Sequence, residues 1–214
     1  MKPFLIVYAS RSGYTHHIAE CIADRIRTLA REVQVQDVRT EALPPLKRYS
    51  GVVLAAGVHF GHHERDMVKF VRARRRELAE VPTVFLSVSL TEGTATDVHQ
   101  PDDVRLEARN AARKILDDFA VETGWRPRTA IPIAGAMTRF RHGSPGQQLA
   151  RRLFHRRLPE GPTPTIAFND WSALNAAVDG LVREAVAESN SGSSGSRPET
   201  SFGHQAVYTT VRDT

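Results

Sequence analysis

The chain has 214 residues, 41% of them hydrophobic, enough for one ordinary domain with a sizeable core and too few for two full-sized ones. Its 29 basic and 24 acidic residues leave a net charge of +5, built from 25 Arg and only 4 Lys, an excess that implies no nucleic-acid partner unless it is clustered on one face. A single cysteine, Cys21, excludes an intramolecular disulfide and any cysteine-built zinc or iron–sulfur site, and no apolar run approaches the roughly 18 residues of a membrane span.

The spacing of apolar residues predicts alternating strands and helices. Phe4-Leu5-Ile6-Val7-Tyr8-Ala9 is a first strand, followed by Ser10-Arg11-Ser12-Gly13-Tyr14-Thr15 and a helix with Ile18, Cys21, Ile22, Ile26 and Leu29 on one stripe. Val33, Val35 and Val38 suggest a second strand. Val52-Val53-Leu54-Ala55-Ala56 is a third, bounded by Gly51 and Gly57, and Met67, Phe70, Val71 and Leu78 line the helix after it. Pro82 opens a fourth run over residues 84–88. A helix carrying Val104, Ala108, Ala111, Ala112, Ile115, Leu116 and Phe119 follows. Ile131-Pro132-Ile133-Ala134 is the fifth strand, and Pro132, which cannot donate to a ladder, places it at a sheet edge. A last helix is expected from Asp170, its N-cap, burying Trp171, Leu174, Val178, Leu181 and Val182. Residues 190–214, rich in Ser and Gly, read as a disordered tail.

Five continuous apolar strands separated by helices of crossover length make an α/β protein with a parallel sheet covered on both faces. Ligands of such sheets bind outside the carboxyl ends of the strands. The first strand end carries three hydroxyls and a glycine running into a helix N-terminus, a cradle for phosphate; it is neither a Walker loop nor a Gly-x-Gly-x-x-Gly turn. A plain capped turn accounts for the same residues. At the second strand end, Gly57-Val58-His59-Phe60-Gly61 offers close backbone approach and flat rings for an aromatic ligand. His59, His62 and His63 invite a metal reading, but only Glu64 and Asp66 could join them, and these begin the next helix as first-turn charges; no metal is expected. The third strand end, Ser87-Val88-Ser89-Leu90, opens into a long polar loop. No serine–histidine–carboxylate spacing supports a nucleophilic hydrolase.

The first loop resembles the phosphate loop of flavodoxins. Farther along, residues 53–62 and 85–90, Trp125-Arg126-Pro127, Ile133-Ala134-Gly135-Ala136 and Asn169-Asp170-Trp171 resemble, in order and spacing, the landmarks of the flavodoxin-like, menaquinone-dependent protoporphyrinogen oxidase family, over roughly residues 3–187. The resemblance implies a flavodoxin-like three-layer sandwich with strand order 2-1-3-4-5 and a basic insertion, residues 137–165, inside a domain of residues 1–189. It implies one FMN, its phosphate in the loop of Ser10, Arg11, Ser12, Gly13, Tyr14 and Thr15. The ring would lie against Gly57, Val58, His59, Phe60 and Gly61 on one side and Ser87, Val88 and Ser89 on the other. It further implies oxidation of protoporphyrinogen IX to protoporphyrin IX in haem biosynthesis, with electrons passed to a quinone; no catalytic acid or base carries over. The family's aromatic-rich insertion, associated with substrate and membrane, is replaced here by Arg139-Phe140-Arg141-His142 and a different helix.

Residues 137–158 contain six Arg and no acidic residue, a charge of +6, so the rest of the chain is close to neutral. Within them residues 147–158 read as an amphipathic helix. Arg139, Arg141, Arg151 and Arg152 are candidates to meet porphyrinogen propionates or anionic lipid; a solvated helix with ordinary Arg bias is the alternative. The run Arg72, Arg74, Arg75, Arg76 is interleaved with Glu77 and Glu80 and reads as a solvated face. The expectation is therefore a cytoplasmic flavoprotein, soluble or peripheral on the inner face of the cell membrane, with an anionic small-molecule substrate, a quinone and no nucleic acid. Two alternatives stand beside it, a flavodoxin-type electron carrier with a protein partner and a domain that has lost its cofactor.

Overall fold

The computed structural model describes residues 2–40, 43–135 and 171–191. In chain order the elements are β1 (Phe4–Ala9), α1 (Tyr14–Thr28), β2 (Val33–Asp37), β3 (Gly51–His59), β4 (His62–His63), α2 (Arg65–Glu80), β5 (Thr83–Ser89), α3 (Leu90–Thr96), α4 (Asp102–Thr123), β6 (Thr129–Ala134) and α5 (Trp171–Ser191). Strands β2, β1, β3, β5 and β6 lie side by side in that order, all parallel, while the two-residue β4 folds back antiparallel on β3. Counting only the parallel strands, this is the expected order 2-1-3-4-5. β6 is the edge strand, and Pro132 sits in it opposite Ser87.

Because successive strand residues point to opposite faces, each central strand feeds two cores. Phe4 and Ile6 of β1, Val53 and Ala55 of β3 and Val84, Leu86 and Val88 of β5 pack with α1 and α5. Leu5, Val7 and Ala9, then Val52, Leu54 and Ala56, then Phe85, pack with α2 and α4 on the other face. Fully burying each large side chain contributes about 1.5–3 kcal/mol, so the two cores hold the strand ends in fixed register. The helices bury the expected stripes in most positions: Ile18, Ile22 and Ile26 in α1, Met67, Val71 and Leu78 in α2, Leu174, Val178, Leu181 and Val182 in α5. Cys21 and Leu29 are only half-buried, and Ala111 is exposed, because each stripe is narrower than the apolar composition suggested.

Two segments differ from the sequence expectation. The third strand continues past Ala56 to His59 and turns back as a hairpin. The polar stretch after β5 is no long loop: it enters α3 at once, because Ser89 caps that helix and accepts the Glu92 N–H at 3.1 Å. The insertion 137–165, with Arg139, Arg141, Arg151 and Arg152, the cap Asp170 and the tail from residue 192 lie outside the described residues.

Candidate functional site

Strands β1, β3 and β5 all end on one edge of the sheet. From β1 the chain crosses to β2 on one side, and from β3 to β5 on the other, so the crevice of the topological switch opens outside the ends of β1 and β3.

On the β1 side, Ser10 Oγ accepts the Gly13 N–H at 3.0 Å, and the Gly13 carbonyl accepts the first helical N–H of α1, from His17, at 3.0 Å. Gly13 stands at φ 85°, a left-handed turn that a side chain would strain, with open space where a Cβ would be. The N–H groups of Tyr14, Thr15 and His16 come before the first intrahelical bond and so have no helical acceptor; they point from the positive end of the helix dipole. No acidic residue occupies that first turn. Arg11, Ser12 and Gly13 are exposed, Ser10 and Thr15 buried. A Cβ on Gly57 would stand 3.3 Å from Thr15 Oγ1, so the glycine lets β3 close against the loop. This arrangement of open donors, small hydroxyls and absent carboxylates fits a phosphate group.

Beside the loop, Arg39 Nη2 donates to the Ser10 carbonyl at 3.3 Å and to Asp37 Oδ2 at 2.6 Å. That hydrogen bond holds the Asp37 carboxyl below the usual range despite its partial burial. Tyr8 stacks on His16 with ring centroids 4.6 Å apart.

On the β3 side, Phe60 at φ 52° and Gly61 at φ 80° make the two-residue turn of a tight hairpin, and Phe60 projects from its tip, 78% exposed. His63 turns inward. Its Nε2 lies 2.9 Å from Ser87 Oγ, and its ring packs on Phe85 and Phe119 at centroid distances of 5.2 and 4.6 Å. Burial, and secondarily the charge of His62, lowers the His63 pKa from 6.5 to about 3, so the ring is neutral. Glu64 is buried at the foot of the hairpin; its N–H donates to the Gly57 carbonyl at 3.0 Å. It occupies the N-cap position of α2 without making a side-chain cap. Instead its Oε2 accepts from Arg11 Nε at 2.9 Å, while Oε1 lies 3.0 Å from His59 Nε2, off the hydrogen-bonding direction and with no hydrogen bond of its own.

At the end of β5, Ser87 Oγ faces His63 beneath the hairpin rather than the crevice, and Val88 is buried on the α1 face. Ser89 Oγ caps α3, and its carbonyl accepts the Gly135 N–H at 2.7 Å. Leu90, 38% exposed, and the first turn of α3 border the crevice. There Glu92 has its carboxyl pushed up by burial, with Arg109 pulling the other way.

The fold thus brings residues 10–15 and 57–61 to one crevice, with the β5 end beside them. Among the described residues no group of three or more His, Cys, Asp and Glu is placed to hold a metal ion, and no helix is long and apolar enough to cross a membrane. Sequence reasoning missed the Glu64 bridge, the His63–Ser87 contact and Arg39. Arg39 was findable: in a 2-1-3 order the residue just past β2 must lie beside the end of β1.

Comparison with known proteins agrees with this architecture. Protoporphyrinogen IX dehydrogenase (quinone) of Escherichia coli K12 is 26% identical over 173 residues, covering 79% of this chain and 89% of that protein. The protein of the same name from Leishmania major is 27% identical over 178 residues, covering 79% of this chain and 70% of its own. A short-chain flavodoxin associated with a non-canonical PDU bacterial microcompartment shares the fold at a TM-score of 0.50 and 14% identity, covering 86% of this chain and 99% of that one. The flavodoxin domain model matches residues 5–141, which take in the strand ends and every loop of the crevice, and the chain belongs to that family.

Proposed function

We propose that this protein is an FMN-dependent oxidoreductase that oxidises protoporphyrinogen IX to protoporphyrin IX in haem biosynthesis and passes the electrons to a quinone. The observation that carries the reading is the similarity to two protoporphyrinogen IX dehydrogenases over 79% of the chain, from species as distant as Escherichia coli and Leishmania major. The crevice supports it.

Bound FMN would supply the redox chemistry. The open N–H groups at the start of α1, with the hydroxyls of Ser10, Ser12 and Thr15, would hold its phosphate. Gly57, Val58, His59, Phe60 and Gly61, together with the backbone of residues 87–90, would hold its ring. The exposed Phe60 gives the crevice an apolar rim suited to the apolar macrocycle of a tetrapyrrole, and its departure from water on binding favours association. The excess charge of residues 137–158 supplies cations for the substrate's carboxylates, with Arg139, Arg141, Arg151 and Arg152 as the residues to vary. A cytoplasmic location, with peripheral contact at the membrane where a quinone is met, belongs to the same proposal.

The test is anaerobic. Protein loaded with FMN is mixed first with protoporphyrinogen IX and then with menaquinone, while the visible flavin bands are followed. Bleaching by the first and recovery with the second is expected. FMN that stays coloured in the presence of protoporphyrinogen IX overturns the reading, and a chain that takes up no FMN removes its basis.

A further inference from the structure

The crevice has two halves, and one buried carboxylate touches both. Glu64 sits where a helix-capping acid would be expected, yet its side chain makes no cap. It is 91% buried, since its side chain keeps 9% of its exposure, and it accepts Arg11 Nε from the loop after β1 while lying 3.0 Å from His59 of the hairpin. A buried carboxylate without partners is expensive, so Arg11 and the acid hold one another in place. Arg11 is tied to this acid through its Nε, while the rest of the side chain stays exposed. Oε1 is buried, 3.0 Å from His59 Nε2 and off the hydrogen-bonding direction.

We propose that Arg11 and Glu64 form a latch that sets the hairpin against the phosphate loop, so that Arg11 is a positioning residue for the flavin ring and not a ligand of the phosphate. The inference rests on the flavin reading above. It has a signature that a phosphate ligand would not give: the latch shapes the place of the ring, so its loss is felt equally by a flavin with a phosphate and by one without.

The experiment titrates the full-length apoprotein with FMN and with riboflavin, following fluorescence quenching and the visible bands, for the wild type, Arg11→Ala, Glu64→Gln and the double variant. Arg11→Ala leaves Glu64 buried without its donor, so a thermal melt accompanies each variant, and Glu64→Gln, which leaves no buried charge, carries the test if Arg11→Ala loses the fold. Arg11→Ala is expected to weaken both ligands by a similar factor, roughly fivefold for a half-exposed pair. The double variant is expected to be no worse than the weaker single, and the bands of saturated FMN shift alike in all three. Loss of FMN affinity with riboflavin binding spared, losses that multiply in the double variant, or bands of saturated FMN that Arg11→Ala leaves in place would each overturn the latch while leaving the flavin reading intact. A wild type that binds neither ligand overturns the flavin reading and the latch with it.

Discussion

The two walls of the crevice are built by different means. The loop after β1 is made of backbone: a left-handed glycine, a hydroxyl that folds back on it, and a helix start whose donors point outward. The hairpin after β3 is made of buried side chains, with His63 set between Phe85, Phe119 and Ser87, and Glu64 reaching Arg11 and His59. An anion needs only oriented N–H groups, which any sequence with the right turn can present. A flat ring needs a wall held at fixed distance, and a two-residue turn cannot hold itself, so residues beneath it are locked into the core.

The strongest way to break the second wall is at His63. His63→Ala removes a buried ring from two aromatic neighbours and leaves Ser87 Oγ without its partner, a loss of about 2–4 kcal/mol in urea unfolding. The same histidine adds to the loss of stability in acid, beside paired carboxylates such as Asp37 and Asp179. Its pKa is near 6.5 in the unfolded chain and about 3 when folded, so the unfolded state binds more protons between those values. Its contribution is complete above pH 6.5 and drains away as pH falls toward 3. Urea midpoints measured across that window should fall in the wild type and fall less in His63→Gln, which does not titrate; parallel curves would show that the ring is not buried as described.

The first wall breaks through charge. Gly13→Asp sets a carboxylate beside the open N–H groups and is expected to weaken FMN binding about tenfold to a hundredfold, with the same backbone strain of about 1 kcal/mol that any side chain meets at this φ, judged by titration and thermal melting. Equal affinity in wild type and variant would move the phosphate elsewhere. Gly13→Ala separates strain from charge: its left-handed φ costs about 1 kcal/mol or somewhat more in stability, with a smaller effect on FMN. The smallest effect on the fold belongs to Phe60→Ala at the hairpin tip. Losing an exposed side chain leaves the unfolding free energy within about 0.5 kcal/mol of wild type, yet the apparent affinity for protoporphyrinogen IX should fall; unchanged affinity would take Phe60 out of the rim.

The same division decides what could be read from the sequence. The loop after β1 was legible because its signal is local: hydroxyls, one glycine and an apolar helix within fifteen residues of the strand. Pro132 announced the sheet edge for the same reason. The hairpin was legible only in its composition. His59, His62 and His63 break the apolar run that marks β3, so the strand seemed to end at Ala56, although the Phe60-Gly61 pair is the kind of turn that continues a strand backward. α3 carries Gly93 and three Thr, poor helix formers, yet Ser89 and Glu92 form the spacing of a capping box, a sign that was available. The locks beneath the hairpin have no local signature at all. His63 and Ser87 are 24 positions apart and Arg11 and Glu64 are 53 apart, so only the sheet order brings them together.

The most direct test of the two-walled site is a map of backbone amide shifts as the ¹⁵N-labelled apoprotein is titrated with FMN. The account predicts that shifts gather in residues 10–15, 57–61 and 87–92, while residues 31–34, at the other end of the strands, stay in place. Shifts centred on residues 31–34, or none in residues 10–15, would contradict it.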